Sequence, residues 1–215
     1  DEFRDQQSLL FKTTHTRVEI FLDGKEIYQY GEDKNAPEFM KSPGSCWHIV
    51  DIPKNSSGKT LELRILPTYP GYYGNELTIS YGTRGECVLR ILKDSFGTLL
   101  ISCGILFAGM ISLILFLSCM RTKNKMKFEV RNEILLNLGI FSLLIAIWSL
   151  DQCGFMQFLV PDGRTLYYID FFSFLLFPIP FTFLIHDICK SKYRKGVMCL
   201  SILFMVNIAL EVILQ

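Results

Sequence analysis

Histidine is scarce in this 215-residue chain, and His15, His48 and His186 are far apart in sequence. They form no metal-ligand pattern, and the seven cysteines lack metal-ligand spacing too. No phosphate-cradling loop, nucleophile–base pair or paired carboxylates stand out, so the stretch does not read as an enzyme and calls for no cofactor. Charge of one sign is also missing. With 22 Lys+Arg against 21 Asp+Glu the net charge is +1, and no basic stripe with interleaved aromatics points to nucleic acid. The opening "DEFRDQQ" is polar and carries no leader-peptide pattern. Because the chain begins without Met and stops at Gln215 inside an apolar run, it is expected to be a piece of a longer protein, with something missing at both ends.

What is present is long apolar runs. Half of the residues are hydrophobic while a fifth are charged, and the two are separated along the chain. Most charges lie before Lys93 or in short clusters after Met120. Four apolar runs follow Lys93: Phe96–Met120, Ile134–Leu150, Tyr167–Ile185 and Val197 to the end. A run of about 18 or more apolar residues is long enough to cross the hydrocarbon core as a helix. Four such runs with short polar connectors predict a bundle of four transmembrane helices.

The connectors orient the bundle. Arg121, Lys123, Lys125, Lys127 and Arg131 follow the first run, and Lys190, Lys192, Arg194 and Lys195 follow the third. Between the second and third lie Asp151, Asp162, Arg164 and Asp170. Lysine and arginine accumulate in cytoplasmic loops, so the first and third connectors are expected inside. The second connector and residues 1–95 are then outside, in a multi-pass plasma-membrane protein. Trp148, Tyr167 and Tyr168 suit an outer aromatic belt. Pro178 and Pro180 in "FFSFLLFPIPFTFLI" each lack an N–H and predict a kink in the third helix. It serves as a signal-carrying hinge or, more simply, as a fixed bend that shapes the bundle. Gly104 and Ala108 place small residues four apart, a weak signal for close helix approach. Asn137, Asn207 and Glu211 are polar groups in or near spans; solvation near the outer surface accounts for Glu211.

The segment before the spans alternates as strands do. "RVEIFLDGKEIYQYG" sets Val18, Ile20 and Leu22 against Arg17, Glu19 and Phe21, and its Asp23-Gly24 pair predicts a two-residue hairpin turn. "SLLFKTT", "CWHIVDIP", "KTLELRILP" and "ELTISYG" are further strand candidates. Short antiparallel strands with polar connectors suggest a jelly-roll β-sandwich. From about Gly85 the period changes to that of a helix running directly into the first span. The candidate ligand contacts are Trp47 and the loop tyrosines Tyr69, Tyr72 and Tyr73, whose rings can stack on a sugar or other small ligand. Trp47 also reads as core, and the tyrosines as a cover over the end of the core. Asn55-Ser56-Ser57 fits a glycosylation sequon and equally a turn. Cys46 and Cys87 are the candidates for a disulfide, which spacing alone cannot establish.

Taken in order, "VEIFLDGKEIYQYG", "PGSCWHIVDIP", "GKTLELRI" and "WSLDQCGFMQFL…LYYIDFFSFLLFPIPFTFLI" resemble the N-terminal sensory region of membrane signalling proteins from clostridia and related Firmicutes. These are similar to the bacterial seven-transmembrane receptors with diverse intracellular signalling modules. The resemblance runs from about Ser8 to Arg194. It implies a jelly-roll, carbohydrate-binding-like ectodomain, a multi-helix membrane unit, and a cytoplasmic output domain, commonly a GGDEF diguanylate cyclase and sometimes a histidine kinase. It carries no catalytic residues into this stretch. Cys46 and Cys87 depart from it, as does the presence of four spans rather than seven.

The expected fold is a membrane β + α protein. Residues 1–86 form a partial jelly-roll β-sandwich shortened at its N-terminus, 87–95 a juxtamembrane helix, and 96–215 the transmembrane bundle. The expected function is the sensory input module of a transmembrane receptor. Its partners are membrane lipid, an extracellular carbohydrate or other small ligand, and a second copy of the chain. Two other readings stay open: a transport or channel component with an accessory outer domain, and a membrane-anchored glycan-binding module.

Overall fold

The computed structural model describes residues 7–32, 41–69, 77–121, 132–189 and 193–214. The chain divides into two units, Asp1–Phe96 with Gly154–Tyr168, and Gly97–Cys153 with Ile169–Gln215. They are called the β unit and the helical unit below.

In the β unit, β1 (Gln7–Thr14), β4 (Ser45–Asp51) and β6 (Ser80–Thr83) form one sheet in the order β4-β1-β6. The strands β2 (Thr16–Leu22), β3 (Lys25–Tyr30) and β5 (Leu61–Pro67) form another in the order β3-β2-β5. All pairings are antiparallel. The β2–β3 hairpin turns at Asp23 and Gly24, with φ of 49° and 76°, the positive values a tight two-residue turn requires. Asp23 also accepts from the Thr60 N–H through its side chain at 2.9 Å, tying the turn to the start of β5. Two small antiparallel sheets thus stand where a partial jelly roll was expected.

The period-2 alternation of β1 explains the layering. Phe11 joins Val18, Ile20 and Val50 in a core between the sheets. Leu10, on the opposite face of the same strand, packs with Cys87 and Ile91. Those two residues belong to the first turns of α1 (Arg84–Arg121), so β1 is covered on both faces. The start of α1 is fixed by a reciprocal cap. The Thr83 N–H donates to the Glu86 carboxylate at 2.8 Å, and the Glu86 N–H to the Thr83 hydroxyl at 3.3 Å. The expected juxtamembrane helix and first span are one 38-residue helix.

The Cys46–Cys87 disulfide is not formed, and strand alternation gives the reason. Cys46 shares its face of β4 with His48 and Val50, toward the other sheet. Cys87 packs beneath Leu10, on the side that carries Trp47 and Ile49. A sheet separates the two thiols.

The helical unit contains α2 (Asn132–Gln152), α4 (Pro178–Ile188), α5 (Arg194–Leu214), and α1 and α3 (Gly163–Leu176) from Gly97 and Ile169 onward. Arg84–Arg121, Asn132–Gln152, Gly163–Ile188 and Arg194–Ile213 are long and apolar enough to cross a membrane, which makes this a multi-pass membrane protein in contact with lipid. Small residues build the seam between α1 and α2. Ser102 donates to the Ser149 hydroxyl at 2.6 Å, and Ser112 to the Leu135 carbonyl at 2.8 Å. Between them, Gly109 and Gly139 leave no room for larger groups: a Cβ on Gly139 would lie 2.5 Å from Leu113 Cδ2. Gly104, by contrast, faces open space.

The third apolar stretch is interrupted at Phe177, between α3 and α4. Pro178 and Pro180 cannot donate to the carbonyls of Phe174 and Leu176, one turn back. The ladder resumes around them: Phe177 N–H reaches Ser173 at 3.1 Å and Phe181 N–H reaches Phe177 at 3.2 Å. Phe141 of α2 packs against Phe181 at 5.1 Å and Phe177 at 6.1 Å between ring centroids, supporting the break from the side.

Candidate functional site

The segment Gly154–Tyr168, which joins α2 to α3, is part of the β unit. Its attachment centres on Trp47. The Gln157 side chain accepts from the Trp47 N–H at 2.9 Å and donates to the Trp47 carbonyl at 3.3 Å, as a neighbouring strand would. This takes up the outward backbone groups of an edge strand, since β4 lies at one end of its sheet. Gln157 sits in a 3-10 turn, Met156–Phe158. The Trp47 ring lies over Gly154, where an added Cβ would fall 2.6 Å from Cδ1 and 2.8 Å from Nε1. Gly154 also has φ of 66°, so two constraints select glycine there. Lys12 stands 5.9 Å above the same ring.

Three further contacts tie this segment to the strands. Tyr30 donates to the Pro43 carbonyl at 2.5 Å and packs against Gly163. Gly44, with φ of 87°, lets the backbone approach Gly163 and Tyr167. His15 meets Tyr167 edge-on at 5.0 Å and Tyr69 at 5.7 Å. Its Nδ1 lies 2.7 Å from the Ser42 hydroxyl, which also accepts from the Gly44 N–H at 3.0 Å. Burial lowers the His15 pKa. Tyr30, Gly31, Glu32, Pro43 and residues 161–164 also line a small cleft of about 170 Å³.

Behind this surface His48 is a buried polar centre. Its Nε2 lies 2.7 Å from the Thr13 hydroxyl and its Nδ1 2.8 Å from the Tyr28 hydroxyl. Phe11 stacks on the ring at 4.8 Å, and Tyr30 meets it edge-on at 4.8 Å. Burial lowers the imidazole to about 4 and raises both phenols, Tyr28 and Tyr30. A neutral ring with one donor and one acceptor nitrogen satisfies both hydroxyls, so the triad orders the core.

The predicted ligand residues therefore have definite places. Trp47 and Tyr69 fall in different clusters. Trp47 is engaged by Gln157 and Gly154, and Tyr69 leans on His15. Tyr72 and Tyr73 lie outside the described residues. A larger opening of about 300 Å³ occurs elsewhere in the β unit, lined by Gln7, Leu22, Ile52, Lys54, Asn55 and Leu61 among others. Of the basic anchors, Arg121 ends α1 and Arg194 and Lys195 open α5, while Lys123, Lys125, Lys127, Lys190 and Lys192 lie outside the described residues.

A second polar cluster sits within the helical unit. Asp187, 6 % exposed, accepts from the Asn137 amide at 3.2 Å and from His186 Nδ1 at 3.1 Å. Glu133, Asn137, Phe183, His186, Asp187 and Arg194 line a cavity of about 250 Å³ there. His186 Nε2 is buried and has no hydrogen-bond partner among the described residues, a cost of about 1–3 kcal/mol for a buried polar atom. Among the described residues no group of three or more His, Cys, Asp and Glu side chains is placed to hold a metal. Sequence reading singled out Asn137 as a polar group in a span and Arg194 as a cytoplasmic anchor, without bringing them together. His186 and Asp187 look like the polar end of a span until α2 is seen beside them. Compared with known proteins, the chain matches no family model, no curated protein and no solved structure.

Proposed function

We propose that the chain is the sensory input module of a bacterial plasma-membrane receptor. Its β unit faces outward and binds an extracellular carbohydrate or other small ligand. Its helices bias a cytoplasmic output domain of the diguanylate cyclase type. The observation that carries this reading is the composition of the β unit, which takes in the first turns of α1 and, again, the segment Gly154–Tyr168, from the α2–α3 connection into the first turns of α3. A passive tether needs one connection. Here three chain crossings, at residues 96–97, 153–154 and 168–169, link the strands to the apolar helices. Ligand binding can shift such a system by as much as its affinity differs between two arrangements of those segments.

Orientation follows from parity and charge together. Two apolar helices separate β6 from Gly154, so the chain returns to the side on which it began, in keeping with both segments sharing one unit. Arg121, Arg194 and Lys195 belong to connectors on the other side, which the charge rule assigns to the cytoplasm. The jelly-roll description of the ectodomain belongs to the same proposal, with its two sheets as the scaffold.

The test uses the chain's own thiols. Cys119 and Cys189 lie beside the basic connectors, the first half-buried and the second exposed. A saccharide found by array screening to bind the β unit should change their maleimide labelling rate at least severalfold in vesicles. Binding that leaves both rates unchanged would leave an anchored glycan-binding module instead. Labelling of both from the β-unit side would overturn the orientation. The transport reading draws support from one observation, the buried Asp187–Asn137–His186 cluster, since ionisable groups inside a membrane commonly mark pathways. Proteoliposome flux of a charged solute, lost on Asp187→Asn, would favour it.

A further inference from the structure

The opening of about 300 Å³ in the β unit lies at one end of the two sheets. Gln7 begins β1, Leu22 ends β2, Leu61 begins β5 and residues 52–59 follow β4, so strands of both sheets frame it. Leu22, Ile52, Pro53 and Leu61 make its apolar lining, and Leu61 is 39 % exposed there. Lys54 and Lys59 supply its charge, and no carboxylate lines it among the described residues. Neither lysine enters an ion pair among those residues. The carboxylates closest in sequence are engaged elsewhere. Asp51 accepts from the Ser8 hydroxyl at 2.5 Å and from Arg84 at 3.1 Å, and Asp23 accepts from the Thr60 N–H at 2.9 Å. The frame is tied on each side. The Ile52 N–H donates to the Gln7 carbonyl at 2.8 Å, and the Asp23 N–H to the Thr60 carbonyl at 2.9 Å. Within the loop the Ser56 hydroxyl donates to the Pro53 carbonyl at 2.6 Å and the Lys59 N–H to the Ser56 carbonyl at 3.1 Å. A ligand therefore meets an opening whose backbone is already ordered, which lowers the cost of binding.

We infer that this opening binds a small organic acid, an oxyanion head on a short apolar body. The apolar lining takes the body, and the two ammonium groups take the head through charge-assisted hydrogen bonds. Flexible lysine stems let both ammonium groups reach one head. A neutral sugar leaves both charges unanswered and sets its hydroxyls against the apolar lining. An organic cation meets two like charges. A long acyl chain exceeds the volume, which is at the small end for a ligand pocket. The inference rests on the reading of the β unit as the ligand-binding part of the chain, and it names the ligand class and the place where that ligand sits.

The full chain in phosphatidylcholine nanodiscs, labelled with ¹³C-methyl leucine, provides the test. Hexanoate or hexyl phosphate should move the Leu22 and Leu61 methyl resonances, and the more effective of the two identifies the head. Hexanamide lacks the charge and acetate lacks the body, so each should need at least tenfold more for the same shift. Lys54→Gln combined with Lys59→Gln should weaken the binding of the acid at least tenfold. Both lysines are exposed, so the leucine resonances of the ligand-free variant should keep their positions outside the opening. Leu61→Ser should weaken binding severalfold. No shift from either acid, an equal response to hexanamide or acetate, or an undiminished response in the double variant overturns the proposal. A shift from a neutral saccharide with none from either acid also overturns it, and leaves the receptor reading standing. Binding of the acid that leaves Cys119 and Cys189 labelling unchanged does the reverse: it keeps the site and removes the coupling to the helices.

Discussion

The two units use the same apolar alphabet in opposite directions. In the β unit the residues removed from solvent are large: Phe11, Val18 and Ile20 are each 0 % exposed. In the helical unit small residues such as Ser102, Ser112, Ser142, Gly139 and Ala146 are prominent among the buried positions, with Leu184 a large apolar exception, while Leu100, Ile101 and Phe107 are each more than 60 % exposed. Water explains the first arrangement, since apolar burial there contributes about 25 cal/mol per Å². Lipid explains the second. Hydrocarbon tails are as apolar as leucine, so no hydrophobic gain comes from hiding large side chains, and close approach of small residues with hydroxyl bonds holds the helices instead. One chain thus has two cores that answer to different solvents and should fail under different insults.

The largest effect is expected where burial in water matters most. Phe11→Ala removes the ring at the centre of the β-unit core and should cost about 3–5 kcal/mol. Far-UV dichroism of the helices in detergent should survive while the near-UV signal of the β unit is lost. Joint loss of both signals would show that the units do not melt separately. Next comes acid. The His48 imidazole, depressed to about 4 by burial, takes up its proton in the unfolded chain near pH 6.5. The unfolded state therefore binds more protons between these values, and stability, full above pH 6.5, falls as the pH drops through 4. The loss is on the order of 3 kcal/mol, and His15, lowered in the same direction by burial, adds to it. Urea titrations between pH 7 and 4 should show the β unit weakening. His48→Gln should flatten the slope, and an unaltered slope would remove His48 from the account.

Much of this contrast was legible beforehand, and the reasons are local. Strand alternation, the Asp23-Gly24 turn and the length of the apolar runs are properties of neighbouring residues, so the strands and the apolar helices could be placed from the chain alone. The break at Pro178 was equally plain, because a missing N–H is written in the residue type. The layering was not legible. That Cys46 and Cys87 lie on opposite faces of one sheet depends on which elements cover β1. Nothing in the sequence pattern marks Gln157, because its role is to complete the edge of a strand 110 positions earlier. The Asn137–Asp187 contact joins α2 to α4 across 50 residues in the same way. Single-sequence periodicity carries no record of such partners.

The smallest predicted effect is the sharpest check on the helical unit. Sequence pattern favoured Gly104 and Ala108 as the close-approach pair, yet both are exposed, and the contact lies at Gly109 and Gly139. A stripe at Ser102, Gly109 and Ser112 on α1, with Gly139, Ser142 and Ser149 on α2, was available to find it. It was hidden because spacings of seven and three are less conspicuous than a single glycine–alanine pair. A methyl group on Gly139 must displace Leu113 and separate two backbones, so Gly139→Ala should weaken the α1–α2 contact by about 1–3 kcal/mol. Gly104→Ala should change it by less than about 0.5 kcal/mol, because the added methyl meets nothing within 4 Å among the described residues. Disulfide trapping at Ser102→Cys with Ser149→Cys reads the contact directly, since those hydroxyls are 2.6 Å apart. Trapping should slow in the Gly139 variant and hold its rate in the Gly104 variant. Should the Gly104 variant instead lose trapping that the Gly139 variant keeps, the helices meet along the other face of α1. The serines and glycines would then be neighbours in sequence pattern only, and lipid would face the stripe assigned here to the seam.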